Sequence, residues 1–237
     1  MTSFKDKKVL IVGGSSGVGL ATARTFLAHG ASVVIAASTA DKLADAMRQL
    51  GSGVEGIVLD VTRDADVEQL DRETLIFDHV VVSIGGSPVG SLRATAVDDA
   101  RRAMETKFWG SYRIARAARI NTAGSLTLVS GYLAVRPSPT SAVQSAVNGA
   151  LEAMGRALAL EFAPIRVNCV SPGLLDTPYW ANIGEDRRQQ MFTHAAGRLP
   201  VGRIGTPEDV ADAILFVAGA AYMTGAALYL DGGGRVA

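Results

Sequence analysis

Seven residues, Gly13-Gly14-Ser15-Ser16-Gly17-Val18-Gly19, carry the clearest chemical signature of this chain. They sit between an apolar run and a helical one. Glycines there permit a tight turn and let backbone N–H groups approach a pyrophosphate, and a helix start favours its negative charge. Gly13, Ser15, Ser16, Gly17, Val18 and Gly19 are therefore candidate phosphate-binding residues. The spacing is Gly-x-x-x-Gly-x-Gly rather than the commoner Gly-x-Gly-x-x-Gly. Taken alone, the turn also fits a purely structural strand-to-helix connection.

Other residues extend the same reading toward a dinucleotide. Asp60 and Val61 follow a strand-like run, and the carboxylate can accept from an adenine amino group. Asp60 can equally cap a helix from Thr62 onward. Gly85, in Ser83-Ile84-Gly85-Gly86, lets backbone pass close to an adenosine ribose. Pro172 and Gly173 lie in Ser171-Pro172-Gly173-Leu174-Leu175-Asp176-Thr177, another tight turn after a strand. Cofactor choice turns on Ala36-Ala37-Ser38-Thr39. A site specific for NAD usually places an acid there for the ribose 2′-hydroxyl. Ala37 supplies none, and Ser38 and Thr39 can donate to a 2′-phosphate, which favours NADP(H) over NAD(H).

The elements that must position these residues alternate along the chain. Apolar runs of strand length fall at 9–12, 32–37, 54–59, 79–84, 125–130, 166–170 and 227–230. Helical runs fall between them, from the glycine turn to about His29, then at 40–50, 64–74, 98–119, 144–161 and 208–218. Such alternation predicts parallel strands joined by crossovers, hence a single α/β domain with a doubly wound sheet over residues 1–237. Ligands of such sheets bind at the carboxyl ends of the strands. Residues 176–200 carry Glu185-Asp186-Arg187-Arg188 and no clear strand. They read as a substrate lid or as an irregular surface helix pair.

With Arg166-Val167-Asn168 and Tyr229-Leu230-Asp231-Gly232-Gly233, these motifs resemble the short-chain dehydrogenase/reductase family over essentially the whole chain. The resemblance implies a Rossmann-type domain with a seven-stranded parallel sheet, assembled as a homotetramer or homodimer. It implies that Thr177 bonds the nicotinamide carboxamide, and that Asn168 and Asp231-Gly232 are structural. It also implies a small carbonyl or alcohol substrate.

The family's proton chemistry uses a tyrosine, a lysine, a serine and an asparagine. Matched flanks place the tyrosine position at Gln144, the lysine position at Asn148, the serine position at Gly131 and the asparagine position at Lys107. All four differ. Gln144 and Asn148 cannot titrate near neutral pH, though both can hydrogen-bond, and Asn148 can still hold the nicotinamide ribose. Three residues are candidates to move a proton instead. Lys107 can point into the pocket, where burial would depress its pKa, or can lie on the surface over Phe108 or Trp109. Tyr132 can reach the substrate or pack under the loop to Pro137. Ser130 lies one residue before the serine position. Tyr179 and Trp180 can line a substrate pocket.

Three functional classes fit these residues: an oxidoreductase with an atypical active site, a non-catalytic dinucleotide sensor or structural subunit, and a non-redox lyase or isomerase. Composition narrows the rest. Basic and acidic residues number 23 each, and this zero formal charge argues against a nucleic-acid partner. No apolar stretch reaches the ~20 residues of a membrane helix. Residues 1–8 contain no apolar signal core, and the single cysteine, Cys169, excludes an intrachain disulfide, so a reducing, cytoplasmic setting is expected. His29, His79 and His194 show no metal spacing, so no metal is expected. The small residues Ala146, Gly149, Ala150, Ala153, Gly155 and Ala157 on the 144–161 helix suit close helix approach in an oligomer.

Overall fold

Seven strands pair in parallel, in the order β3-β2-β1-β4-β5-β6-β7. The computed structural model describes residues 3–72, 75–86 and 88–237, with Arg72 described by its backbone alone. The strands are β1 (Lys8–Val12), β2 (Ser32–Ala37), β3 (Val54–Val58), β4 (Ile76–Val82), β5 (Arg119–Val129), β6 (Arg166–Pro172) and β7 (Ala227–Leu230). The helices are α1 (Gly17–Ala28), α2 (Ala40–Leu50), α3 (Asp64–Arg72), α4 (Val97–Ala103), α5 (Gly110–Ala117), α6 (Ala142–Glu161), α7 (Glu185–Ala196) and α8 (Pro207–Gly219).

Both faces of the sheet are covered, which explains why its strands read as continuous apolar runs. Val9 and Ile11 of β1 join one cluster with Phe26 of α1, Leu43 of α2 and Ile214 of α8. Leu10 and Val12 join a second with Leu70 of α3, Ile114 of α5 and Leu151 of α6. Strand alternation thus assigns neighbouring residues to opposite layers. The sheet order reverses between β1 and β4. This switch point opens a crevice at the carboxyl ends of the strands. Arg166 ties the layers at one edge by donating to the carbonyls of Val217 and Ala220 at 3.0 Å and to that of Ala218, at the end of α8.

The expected doubly wound sheet is present. The 98–119 helix is not one helix. It is α4, then a π-helical turn over Met104–Trp109, then α5, and Arg119 already belongs to β5. The π-turn inserts an extra residue into the ladder and resets the phase of α5. β5 begins well before residue 125, because the polar stretch from Arg119 pairs with β4 across a register shift at Phe77/His79. β4 spans Ile76–Val82, earlier than the expected 79–84, and leaves Ser83 to Gly86 as the loop at its carboxyl end. The 64–74 helix is described as far as Arg72, and residues 73 and 74 of that reading lie outside the described residues.

Candidate active site

The turn after β1 is shaped by its glycines. Gly13 has φ +82°, and a Cβ there would lie 2.1 Å from the carbonyl oxygen of Ser83. Only glycine fits, and this brings the β1 and β4 loops together. A Cβ on Gly19 would likewise meet the Gly13 carbonyl at 2.1 Å, so α1 packs directly onto the turn. Ser16 makes no side-chain cap on α1, and the first turn of α1 holds no acid. The helix start is therefore positive and carries N–H groups without a side-chain cap.

These elements frame a cleft of about 1320 Å³. That exceeds the roughly 300–1,000 Å³ of an ordinary small-molecule pocket, so a dinucleotide and a substrate fit together. Gly13, Ser15, Ser16, Gly17, Val18, Ser38, Asp60, Val61, Gly85, Asn148, Pro172, Gly173 and Thr177 all line it. Gly19 and Thr39 do not. Gly19 works behind the turn, and Thr39 caps α2 by accepting from the backbone N–H of Lys42 at 3.4 Å. Asp60 accepts from Thr62 through its backbone N–H at 3.0 Å and its hydroxyl at 2.7 Å. These two bonds, the backbone one foremost, hold its carboxyl below the usual range. It forms a local turn, since helix α3 starts only at Asp64. Lys42 also lines the cleft, one helical turn after Thr39. Sequence reasoning missed it, although its place in the first turn of α2 was a usable signal. Asp45 beside it pairs with Arg48, so its charge is offset.

At the other end of the cleft, Lys107 points inward and does not lie over Phe108 or Trp109. Its Nζ donates to Asn148 Oδ1 at 2.7 Å and to the Ser130 carbonyl at 2.8 Å. Burial pulls its pKa down to about 8, and the nearby Glu152 opposes that pull. The π-turn directs this lysine, and Gly85 gives it passage: a Cβ at Gly85 would lie 3.0 Å from Lys107 Cβ.

Gly131 is extended, at φ 171°, so its backbone does not require glycine. Its nearest neighbour is a side chain: a Cβ at Gly131 would lie 2.7 Å from Asn148 Nδ2, so the Asn148 amide would have to shift. Lys107, Gly131 and Asn148 therefore interlock: the amide of Asn148 fills the space beside Gly131 and meets the amine with its oxygen.

Ser130 contributes its carbonyl to the cleft side, but its hydroxyl goes elsewhere. It donates to Glu152 Oε1 at 2.8 Å, and the Ser171 hydroxyl, 2.5 Å from it, donates to the same oxygen at 2.6 Å. Tyr229 donates to Glu152 Oε2 at 2.7 Å. Glu152 was missed in the sequence, although it lies four residues after Asn148 on the same helix face. Tyr132 lines the cleft from a short 3₁₀ turn, Tyr132–Ala134, as do Gln144, Tyr179 and Trp180. Tyr179 packs edge-on against Trp180 at 4.7 Å, and Trp180 Nε1 donates to the Leu175 carbonyl at 3.1 Å. Both aromatics belong to the 3₁₀ helix Pro178–Ile183, which precedes α7, so residues 176–200 form a helix pair.

The remaining titratable candidates lie outside the cleft. Cys169 is buried in β6, and burial pushes its thiol up to about 12. His79 is buried against Phe4 and Phe26 and bonded to Ser125 at 2.9 Å. His29 Nδ1 lies 2.8 Å from the Thr25 carbonyl at the end of α1, and His194 lies in α7. Among the described residues no group of three His, Cys, Asp or Glu could hold a metal, and no helix is long and apolar enough to cross a membrane.

Known proteins share this architecture. A family model described as enoyl-(acyl carrier protein) reductase matches residues 12–234. The cis-4-hydroxycyclohexanecarboxylate dehydrogenase of Sinomonas cyclohexanicum is 35% identical over 98% of this chain and 97% of its own length. The L-fucose dehydrogenase of Mus musculus is 32% identical over 100% of this chain and 91% of its own. A solved small-chain dehydrogenase in complex with NADPH superimposes with a TM-score of 0.85 at 33% identity, covering 98% of this chain and 100% of that one. The glycine turn at the switch point, the seven-stranded sheet and these full-length similarities lead to one conclusion: the chain belongs to the short-chain dehydrogenase/reductase family of oxidoreductases.

Proposed function

We propose that this protein is an NADP(H)-dependent oxidoreductase of small carbonyl or alcohol compounds in which Lys107 performs the proton transfer. One observation carries the reading: the amine of half-buried Lys107 faces the cleft, fixed by two acceptors, at a pKa of about 8. The bound dinucleotide supplies or takes up hydride. The chain's own residues handle the proton. Asn148 Oδ1 and the Ser130 carbonyl accept two ammonium hydrogens, which leaves the third for a substrate oxygen. In reduction the ammonium gives this proton to the oxygen, and in oxidation the neutral amine receives it. A pKa near working pH makes both forms available. Gln144 offers an amide that orients an oxygen without titrating.

Preference for NADP(H) is supported by Ala37 at the end of β2 and by Ser38 and Lys42 in the cleft. Residues 176–200 act as the lid, closing Tyr179 and Trp180 over the substrate. The exposed Ala146, Ala153 and Ala157 of α6 pack a second copy in a homodimer or homotetramer. The buried reduced thiol of Cys169 suits the cytoplasm.

NADPH oxidation measured against a panel of ketones, aldehydes and enones tests the reading, and turnover of at least one class is expected. Tight NADPH binding with no turnover on any of them would transfer the protein to the second reading, a dinucleotide sensor or structural subunit. The observation favouring that alternative is Gln144, which cannot titrate. Recovery of the protein with unturned NADP⁺ and a non-redox product would instead assign a lyase or isomerase.

A further inference from the structure

Glu152 is a buried carboxylate, 4% exposed. Burying a carboxylate is expensive unless its oxygens find donors. Here all the bonded donors are neutral hydroxyls, those of Ser130, Ser171 and Tyr229, drawn from the end of β5, from β6 and from β7. Four residues earlier on the same face of α6, Asn148 accepts from Lys107. Ser130 joins the two. Its carbonyl accepts from Lys107 Nζ at 2.8 Å, and its hydroxyl meets Glu152 Oε1 at 2.8 Å. An amine on the cleft side and a buried carboxylate behind it are thus held by opposite ends of one residue.

We propose that Glu152 is the positioning residue of this site: acting through Ser130, its carboxylate fixes the Lys107 amine in the cleft and favours its charged form. The proposal rests on the reading of Lys107 as the proton-transfer group. It explains how an amine partly removed from water remains a usable acid. Desolvation alone favours the neutral form, and a nearby negative charge opposes it. The other groups facing this pair act less directly. Cys169 of β6 stays a thiol because burial pushes it up to about 12. Tyr229 of β7 is bonded to Glu152 itself and lies under the Arg235 guanidinium, 4.2 Å from its ring centroid. Arg156 is exposed further along α6, and Glu105 of the π-turn is paired with Arg113 at 2.6 Å.

The test reads the amine without needing catalysis. The cofactor-free protein is pulsed with acetic anhydride across a pH series, and labelling of Lys107 is followed by peptide mass spectrometry. NADPH oxidation is measured over the same series. Glu152→Gln keeps the shape and removes the charge. Its labelling midpoint is expected to fall by about one pH unit, and the pH at which reduction fades to fall with it. Tyr229→Phe, a milder change should Glu152→Gln not fold, is expected to move both in the same direction by less. Unmoved midpoints in the variants that fold would overturn the proposal, since a merely structural glutamate changes stability and not the titration of Lys107. If wild type shows no turnover but the midpoint moves, the coupling stands and the assignment of Lys107 to proton transfer fails.

Discussion

The two ends of the cleft have been treated differently. At the dinucleotide end, between β1, β2 and β4, the shape of the cleft is set by backbone and by glycines that packing requires. Gly13 cannot carry a Cβ, and α1 starts without an acidic or side-chain cap. At the other end, between the π-turn, the end of β5 and the start of α6, the fit comes from side chains rather than from the turn itself. Asn148 fills the space beside Gly131, and its oxygen meets Lys107.

The contrast can be broken most sharply at Lys107. Lys107→Met should lower turnover by about 10²–10⁴-fold while NADPH affinity, set at the other end, changes little. Parallel steady-state kinetics and fluorescence titration of NADPH check both halves of the statement. Equal loss of binding and turnover would dissolve the division. The reverse probe is Gly13→Ala. It forces a Cβ against the Ser83 carbonyl at a positive φ, so about 1–3 kcal/mol of stability and most dinucleotide binding should disappear together. Calorimetry with and without NADPH separates the two losses.

A smaller effect sharpens the interlocking. Gly131→Ser restores the family residue, but its Cβ strikes Asn148, so it should cost about 1–3 kcal/mol on its own. In an Asn148→Ala background much of that cost should vanish. Urea melts of the four proteins in this cycle report the coupling. Strict additivity would show that the two positions are independent.

The last probe tests the frame beneath both ends. Burial, helped by Arg166, lowers His79 to about 4. The unfolded histidine therefore binds more protons between its ordinary value and that one. Stability should be fully present above pH ~6.5 and fall by about 3 kcal/mol as the pH drops toward 4. Denaturant melts across this window, compared with His79→Phe, isolate the contribution. The variant should lose the slope and suffer instead from the Ser125 hydroxyl left without its partner.

Much of the frame is legible in the sequence. The strands bury both faces, so their apolar runs stand out, and the glycine turn after β1 announces its role by position. What is hidden depends on contacts between distant segments. Nothing in Met104–Trp109 distinguishes a π-turn from the regular helix that periodicity suggests, so the aim of Lys107 stays open between pocket and surface. The early part of β5 is polar, and its pairing with β4 comes from the neighbour rather than from its own pattern. The reason for Gly131 lies on α6, not in its own turn. Ser130 is readable in principle. Strand alternation sends neighbouring side chains to opposite faces, so a hydroxyl one residue before the usual serine points away from the substrate, toward Glu152.

The π-turn has a further consequence, one of chain length. In an α-helix each residue advances the side-chain direction by about 100°, and a π-turn is that helix with one residue too many. Removing a single residue other than Lys107 from Met104–Trp109 would let the segment relax to an ordinary helix and swing Lys107 out of line with Asn148, even with every side chain of the site still encoded. Reading frame along this helix thus matters as much as residue identity. The spacing between Ala103 and Gly110 is the setting that aims the amine.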